Sequence, residues 1–170
     1  HIAMMSAYAS PEVFNKHDLE LPVLNYVVDV YGPSDLSKLY HMQSVDSISA
    51  LLARLPDPLK ECLDITQHLF GFDPDIETEK AKQFMTDYSP VEYVNHNAPP
   101  TLMIHGKEDQ IVPMSQTLIL KYRLDSSNIS NELHILENVD HAFRGANQQQ
   151  RSSVQEWIVN FIQRNYKNDS

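Results

Sequence analysis

Two short segments constrain the fold of this chain more than any other feature. They are His105-Gly106-Lys107-Glu108-Asp109-Gln110-Ile111-Val112-Pro113 and Asp140-His141-Ala142-Phe143. Each follows a run that reads as a buried strand: Thr101-Leu102-Met103-Ile104-His105 before the first, and Glu132 to Leu136 before the second. A further strand is expected over Val23 to Tyr31, which is apolar on both faces, as a central parallel strand is. Helical patterns separate the strands. Strands alternating with helices imply an α/β fold with a parallel sheet, whose ligands bind beyond the carboxyl ends of the strands. Asp109 and His141 both fall at such ends.

The other segments fit that order. His1 to Ala9 reads as a buried helix entered partway, with Ile2 and Met5, and Met4 and Tyr8, at helical spacing. Ser10-Pro11 ends it. Gly32-Pro33-Ser34-Asp35 turns the chain after the first strand. Two helical patterns lie within 44–70, split by Pro56-Asp57-Pro58. The first carries Ile48, Leu51, Leu52 and Leu55, the second Leu59, Cys62, Leu63, Ile65 and Leu69, with Gly71 as its C-cap. A more polar helix is expected from Ile76 to Phe84. This block, about 36–87, is far longer than one crossover helix requires and reads as an inserted helical cap. Ser115 reads as the cap of a helix running to Leu124, with Leu118, Leu120 and Tyr122 as its apolar positions. Val154, Trp157, Ile158, Phe161 and Ile162 form one helical stripe.

Composition narrows the classes of function. The 170 residues predict one domain that buries roughly 70% of its unfolded surface. The formal charge of −10 argues against nucleic acid or an anionic membrane as partner, because both require a basic face. One cysteine, Cys62, excludes an internal disulfide and a cysteine-based metal site; it suits a reducing compartment, and a cytoplasmic location is the expectation. No apolar run approaches the ~20 residues of a membrane-spanning helix.

The pairing of Asp109 with His141 has a chemical reason. A serine hydroxyl is a weak nucleophile at neutral pH. It needs an imidazole to take its proton, and a carboxylate to fix the imidazole tautomer and stabilise the imidazolium. The two residues are 32 positions apart with one helix and one strand between them, a spacing that lets neighbouring parallel strands present them side by side. Gly106 permits a sharp exit from its strand, Pro113 stiffens the return, and Phe143 gives the His141 loop an apolar anchor. Taken singly, an Asp in a loop is a turn residue and a His is structural; the ordered pair carries the catalytic reading. No Gly-x-Ser-x-Gly occurs in the chain. Ser6, Ser10, Ser34, Ser89 and Ser115 lack the glycines of a strained elbow; Ser34 and Ser115 read as helix caps and Ser89 as structural. Cys62 lies on an apolar stripe and reads as a buried thiol. His17, His41, His68, His96 and His134 show no paired ligand spacing, so no metal and no other cofactor is expected. His105 reads as a structural hydrogen bonder near the site. Asp29 reads as a strand-end polar residue and Asp35 as a cap.

The segments Val30-Tyr31-Gly32-Pro33-Ser34-Asp35-Leu36, Tyr88-Ser89-Pro90-Val91-Glu92-Tyr93-Val94, Pro99 to Gly106, Asp109 to Pro113 and Asp140-His141-Ala142-Phe143 resemble the esterase/lipase group of the α/β-hydrolases, in the branch near the prolyl-oligopeptidase-like and carbohydrate-esterase-like enzymes. The resemblance runs from residue 1 to about 162. It implies Asp109 as the triad acid and His141 as the triad base. It departs at Asp140, where the family often has Gly. His1-Ile2-Ala3-Met4-Met5-Ser6-Ala7 resembles the continuation of the family's Gly-x-Ser-Ala-Gly-Gly-His elbow. This implies that the chain starts a few residues after the nucleophilic serine and lacks the oxyanion-hole loop. What remains is then the C-terminal part of the fold with its helical cap.

The expected function is hydrolysis of a small-molecule carboxylic ester of a small acyl group, with His141 acting as base and then acid. The 170 residues alone are expected to be inactive. A prolyl-oligopeptidase-type peptidase and a non-catalytic α/β binding module are the alternatives. Truncation would bare the edge of the first strand, so a homodimer, or association through that edge, is expected.

Overall fold

Among the described residues, three parallel strands, Val27–Val30 (β1), Thr101–Gly106 (β2) and Asn131–Leu136 (β3), lie side by side in that order and form the sheet expected from the alternating pattern. The computed structural model describes residues 1–9, 24–40, 70–74 and 76–166. The elements run α1 (Ile2–Tyr8), β1 (Val27–Val30), α2 (Leu36–Tyr40), α3 (Thr78–Asp87), a 3-10 turn (Pro90–Tyr93), β2 (Thr101–Gly106), α4 (Ser115–Ser126), β3 (Asn131–Leu136), a second 3-10 turn (His141–Phe143) and α5 (Gln148–Asn165). Residues 41–69, which carry the two expected cap helices and Cys62, lie outside the described residues, as does Ser10-Pro11.

β2 is central, and all six of its residues are buried. Its side chains alternate between two cores. Met103 packs with Met4 and Tyr8 of α1, Val27 of β1, and Leu120 and Leu124 of α4. Leu102 and Ile104 point the other way, to Leu136, Val139, and Val154 and Phe161 of α5. Each large apolar side chain fully buried in this way contributes roughly 1.5–3 kcal/mol. Thr101 Oγ donates to the Pro99 carbonyl at 3.1 Å, so the Tyr8 hydroxyl, 2.7 Å away, must be the donor to it. A third cluster of Leu36, Phe70, Ala81 and Met85, with Leu39, Phe72 and Phe84 against it, joins α2 to α3. Gly71 ends the segment at Phe70 with the left-handed φ of 67° expected of a C-cap.

Several expectations need correction. The first strand is Val27–Val30, shorter than Val23 to Tyr31; it lies at the edge of the described sheet, and Val28 and Val30 are half-buried where burial on both faces was expected. The polar helix expected from about Ile76 to Phe84 is Thr78–Asp87, and Ile76 is exposed. Of α1, Met4 and Tyr8 face the core while Ile2 stands 80% exposed. In α4 the apolar face was misassigned: Leu118 and Tyr122 are exposed, and the inward residues are Gln116, Thr117, Leu120 and Leu124. Two of these are polar: Gln116 is held by hydrogen bonds to the turn after β1, and Thr117 by one to His105 of β2. Met114, with no capping side chain, occupies the N-cap position given to Ser115. Ser34 is not a cap either, because its hydroxyl donates to the Gln116 carbonyl at 2.6 Å. Asp35 caps α2 through the Lys38 N–H, and Ser89 bridges the Met85 carbonyl and the Leu36 N–H.

α5 opens on a capping box between Asn147 and Gln150 and lays Val154 and Phe161 on the sheet. Trp157 stacks on His134 of β3 with ring centroids 4.0 Å apart. No helix among the described residues is long and apolar enough to cross a membrane.

Gly106 closes β2 where the β3 exit loop crosses it. A Cβ there would lie 2.4 Å from the Val139 carbonyl oxygen, so glycine is needed for close approach. Gly106→Ala is expected to cost about 1–3 kcal/mol through overpacking against backbone. A urea-denaturation midpoint equal to wild type would contradict this.

Candidate active site

Adjacent parallel strands put their carboxyl ends side by side, and the pairing of β2 with β3 continues past both. Lys107 N–H donates to Leu136 O at 2.9 Å, and Glu108 N–H donates to Val139 O at 3.0 Å. The acid loop and the His141 loop are therefore joined by backbone before any side chain acts. Asp109 then meets His141: its Oδ2 lies 2.9 Å from Nδ1 of the imidazole. The carboxylate side chain has no exposure, while that of His141 is 24% exposed.

The other carboxylate oxygen, Oδ1, accepts the N–H groups of Ile111 at 2.9 Å and Val112 at 2.8 Å. A buried carboxylate held in this way stays fixed in orientation. An Nδ1–H donated to Asp109 leaves Nε2 as the basic nitrogen of His141.

His105 lies fully buried beneath the pair. Its Nε2 is 2.8 Å from the Val112 carbonyl and its Nδ1 is 2.6 Å from the Thr117 hydroxyl. A carbonyl can only accept, so Nε2 carries the proton and Nδ1 accepts from Thr117. Nε2 also lies 3.5 Å from Asp109 Oδ2. Burial holds the His105 pKa below its ordinary 6.5, against the opposing effects of the Val112 carbonyl and Asp109; nearby His141 adds to the lowering. The expected structural hydrogen bonds are present, and they also brace the acid loop.

Tyr31 brings the end of β1 to the same place. Its ring lies 4.7 Å from that of His141 and 5.3 Å from that of Phe143, between centroids. Tyr31 has a φ of 47°, and Ala142 and Phe143 follow His141 with φ of 56° and 57°. Non-glycine residues in this region cost of order 1–3 kcal/mol each, and persist where surrounding contacts over-determine them. Phe143 is the expected anchor, packed against the α5 core. In the sequence, the one signal for Tyr31 is its place just after a strand and before Gly32-Pro33.

Asp29 stands apart from this cluster, buried in β1. Its Oδ1 accepts the Gly32 N–H at 3.0 Å, and its Oδ2 has no hydrogen-bond partner among the described residues. Burial pushes its carboxyl up to about 7, against the hydrogen bond from the Gly32 N–H. Among the described residues no group of three or more His, Cys, Asp or Glu could hold a metal ion. Of the histidines set aside in the sequence, His96 and His134 are described; His17, His41 and His68 are not.

The fold is that of the α/β-hydrolases. The chain belongs to the BD-FAE family, an esterase family of α/β-hydrolase type, whose model matches residues 1–124. That span includes Asp109 and ends before His141. Among solved structures, a truncated carbohydrate esterase from gut microbiota is 24% identical, with a TM-score of 0.50 over 81% of this chain and 42% of that one. The carboxylesterase Cest-2923 from Lactobacillus plantarum WCFS1 is 12% identical, with a TM-score of 0.59 over 98% of this chain and 56% of that one. The Pyrococcus horikoshii acylaminoacyl peptidase is 19% identical, with a TM-score of 0.62 over 99% of this chain and 23% of that one. These identities carry likeness of fold alone, and in each case the chain spans less than two thirds of the protein it matches. A search of curated proteins finds no match.

His105 and Asp29 give opposite pH dependences. His105, lowered in the folded state, contributes stability that is present above pH 6.5 and lost as pH falls below it. Asp29, raised from 3.8 to about 7, gains stability as pH falls through 7. Melting temperatures between pH 7.5 and 5 are therefore expected to fall more steeply in Asp29→Asn and less steeply in His105→Gln than in wild type. Parallel profiles for all three proteins would contradict both assignments.

Proposed function

We propose that Asp109 and His141 are the acid and base of a Ser-Asp-His triad that cleaves carboxylic esters of small acyl groups. The observation that carries this reading is the 2.9 Å contact between a fully buried Asp109 carboxylate and Nδ1 of a partly exposed His141. The likeness in fold to esterases, and membership of an esterase family, support the class of reaction.

In this reading His141 Nε2 takes the proton of a serine hydroxyl as the serine attacks the ester carbonyl. Asp109 stabilises the imidazolium that forms. The imidazolium returns its proton to the leaving alcohol, giving an acyl-enzyme. Water, deprotonated by the same nitrogen, attacks the acyl carbonyl, and the imidazolium returns that proton to the serine oxygen as the acid leaves. None of the chain's serines stands in a Gly-x-Ser-x-Gly elbow, so the nucleophile is assigned to polypeptide upstream of residue 1. The electrostatic reason for burying Asp109 is that the ion pair with imidazolium is stronger where water is excluded.

The test is hydrolysis of p-nitrophenyl acetate by the protein extended upstream through its serine elbow. His141→Ala is expected to lower kcat on the order of 10⁴- to 10⁶-fold, and Asp109→Asn about 10⁴-fold. The 170 residues alone are expected to give no turnover. Wild-type kcat in His141→Ala would overturn the reading. Faster turnover of a proline anilide than of the ester would turn it towards a peptidase.

A further inference from the structure

The residue before His141 is an aspartate, and its carboxylate gathers donors from both sides of the site. Asp140 Oδ1 accepts the His141 N–H at 2.6 Å and the Gln110 N–H at 3.1 Å. Oδ2 accepts Arg144 through Nε at 3.1 Å and through Nη2. Gln110 is the neighbour of Asp109 in the acid loop. One carboxylate therefore ties the residue beside the acid, the backbone of the base, and the far end of the base's own loop.

We infer that Asp140 is a positioning residue: it staples the Asp109 loop to the His141 loop and holds the two side chains at reacting distance. This inference rests on the reading of Asp109 and His141 as acid and base.

Three observations converge on it. The segment that Asp140 closes contains the left-handed Ala142 and Phe143, a backbone that needs external support. The closure is double, because Asp140 N–H also donates to the Arg144 carbonyl at 2.9 Å, forming an antiparallel bridge. Arg151 of α5 fixes the same segment from behind, through the carbonyls of Phe143 and Ala146. Every donor to Asp140 favours the ionised carboxylate. Partial burial opposes ionisation, yet the hydrogen bonds from Arg144, His141 and Gln110 and the Arg144 charge together bring the carboxyl down to about 2. The staple is thus in place throughout the pH range in which an imidazole works. A glycine here would leave the Gln110 and His141 N–H groups and the Arg144 guanidinium without this acceptor.

The experiment compares Asp140→Ala, Asp140→Asn and Arg144→Ala in the protein extended through its serine elbow. The readouts are kcat and KM on p-nitrophenyl acetate, the pH profile of kcat/KM, and melting temperature. Asp140→Ala is expected to lower kcat about 10- to 100-fold, as a misplacement of about an ångström does, with KM within about 2-fold. Its pH profile of kcat/KM is expected to depart from that of wild type. Asp140→Asn keeps one acceptor oxygen and is expected to recover part of the loss, and Arg144→Ala to show a smaller loss of the same kind. Two outcomes overturn the inference: wild-type kcat and pH profile in Asp140→Ala, or a loss of activity wholly accounted for by unfolded protein, with Asp140→Asn equally affected. Asp109→Asn and His141→Ala serve as controls. If they retain activity, the acid–base reading fails and the staple with it. If they are inactive while Asp140→Ala is not, the staple alone fails.

Discussion

The side chain of Asp109 has no contact with water, and a carboxylate in that position must be held by donors from the protein. That requirement organises the carboxyl end of the sheet. Two N–H groups of its own loop take one oxygen, and the His141 imidazole takes the other. The His105 ring beneath is fixed by Thr117 and the Val112 carbonyl, so the loop cannot sink into the space below it. Gly106 lets the neighbouring loop come close enough for all of this to be reached. Apart from His141 and the loop that carries it, which follow β3, each of these residues belongs to β2, the loop after it, or the helix that follows.

Much of this was legible in the sequence. Strands buried on both faces leave continuous apolar runs, and Leu102 to Ile104 within β2 is one. Loops that follow such strands lie at one edge of a parallel sheet, which brought Asp109 and His141 together from spacing alone. The stripe of α5 was equally plain, because Val154 and Phe161 repeat with helical period. The short first strand was less so: Leu24 and Tyr26 are apolar like the strand that follows, yet pairing with β2 starts only at Val27. Hydrophobic pattern records burial, and hydrogen-bonded pairing is a separate matter.

Polar residues that face inward were the main source of error. Gln116 and Thr117 look like the outer face of α4, and a pattern of hydrophobicity assigns Leu118 and Tyr122 to the core instead. The Gln116 Oε1 accepts the Ser34 and Asp35 N–H groups at 2.9 and 2.8 Å, which ties the turn after β1 to the start of α4. Thr117 carries His105. These are contacts across 82 and 12 residues, and no local rule reports them. Tyr31 escaped for a related reason: its role depends on a backbone angle unusual for a tyrosine, which composition does not reveal. Asp140 was noticed only as a departure from glycine; what its carboxylate touches needed coordinates.

The stack of Trp157 on His134 has a practical use. Trp157 is the one tryptophan of the 170 residues, so their indole emission comes from a single place, the seam between α5 and β3. An imidazole in van der Waals contact quenches indole light, more strongly once protonated, and undocking of the last helix would separate the rings. The molecule therefore carries its own optical gauge of whether α5 is seated, readable without a label and independent of turnover.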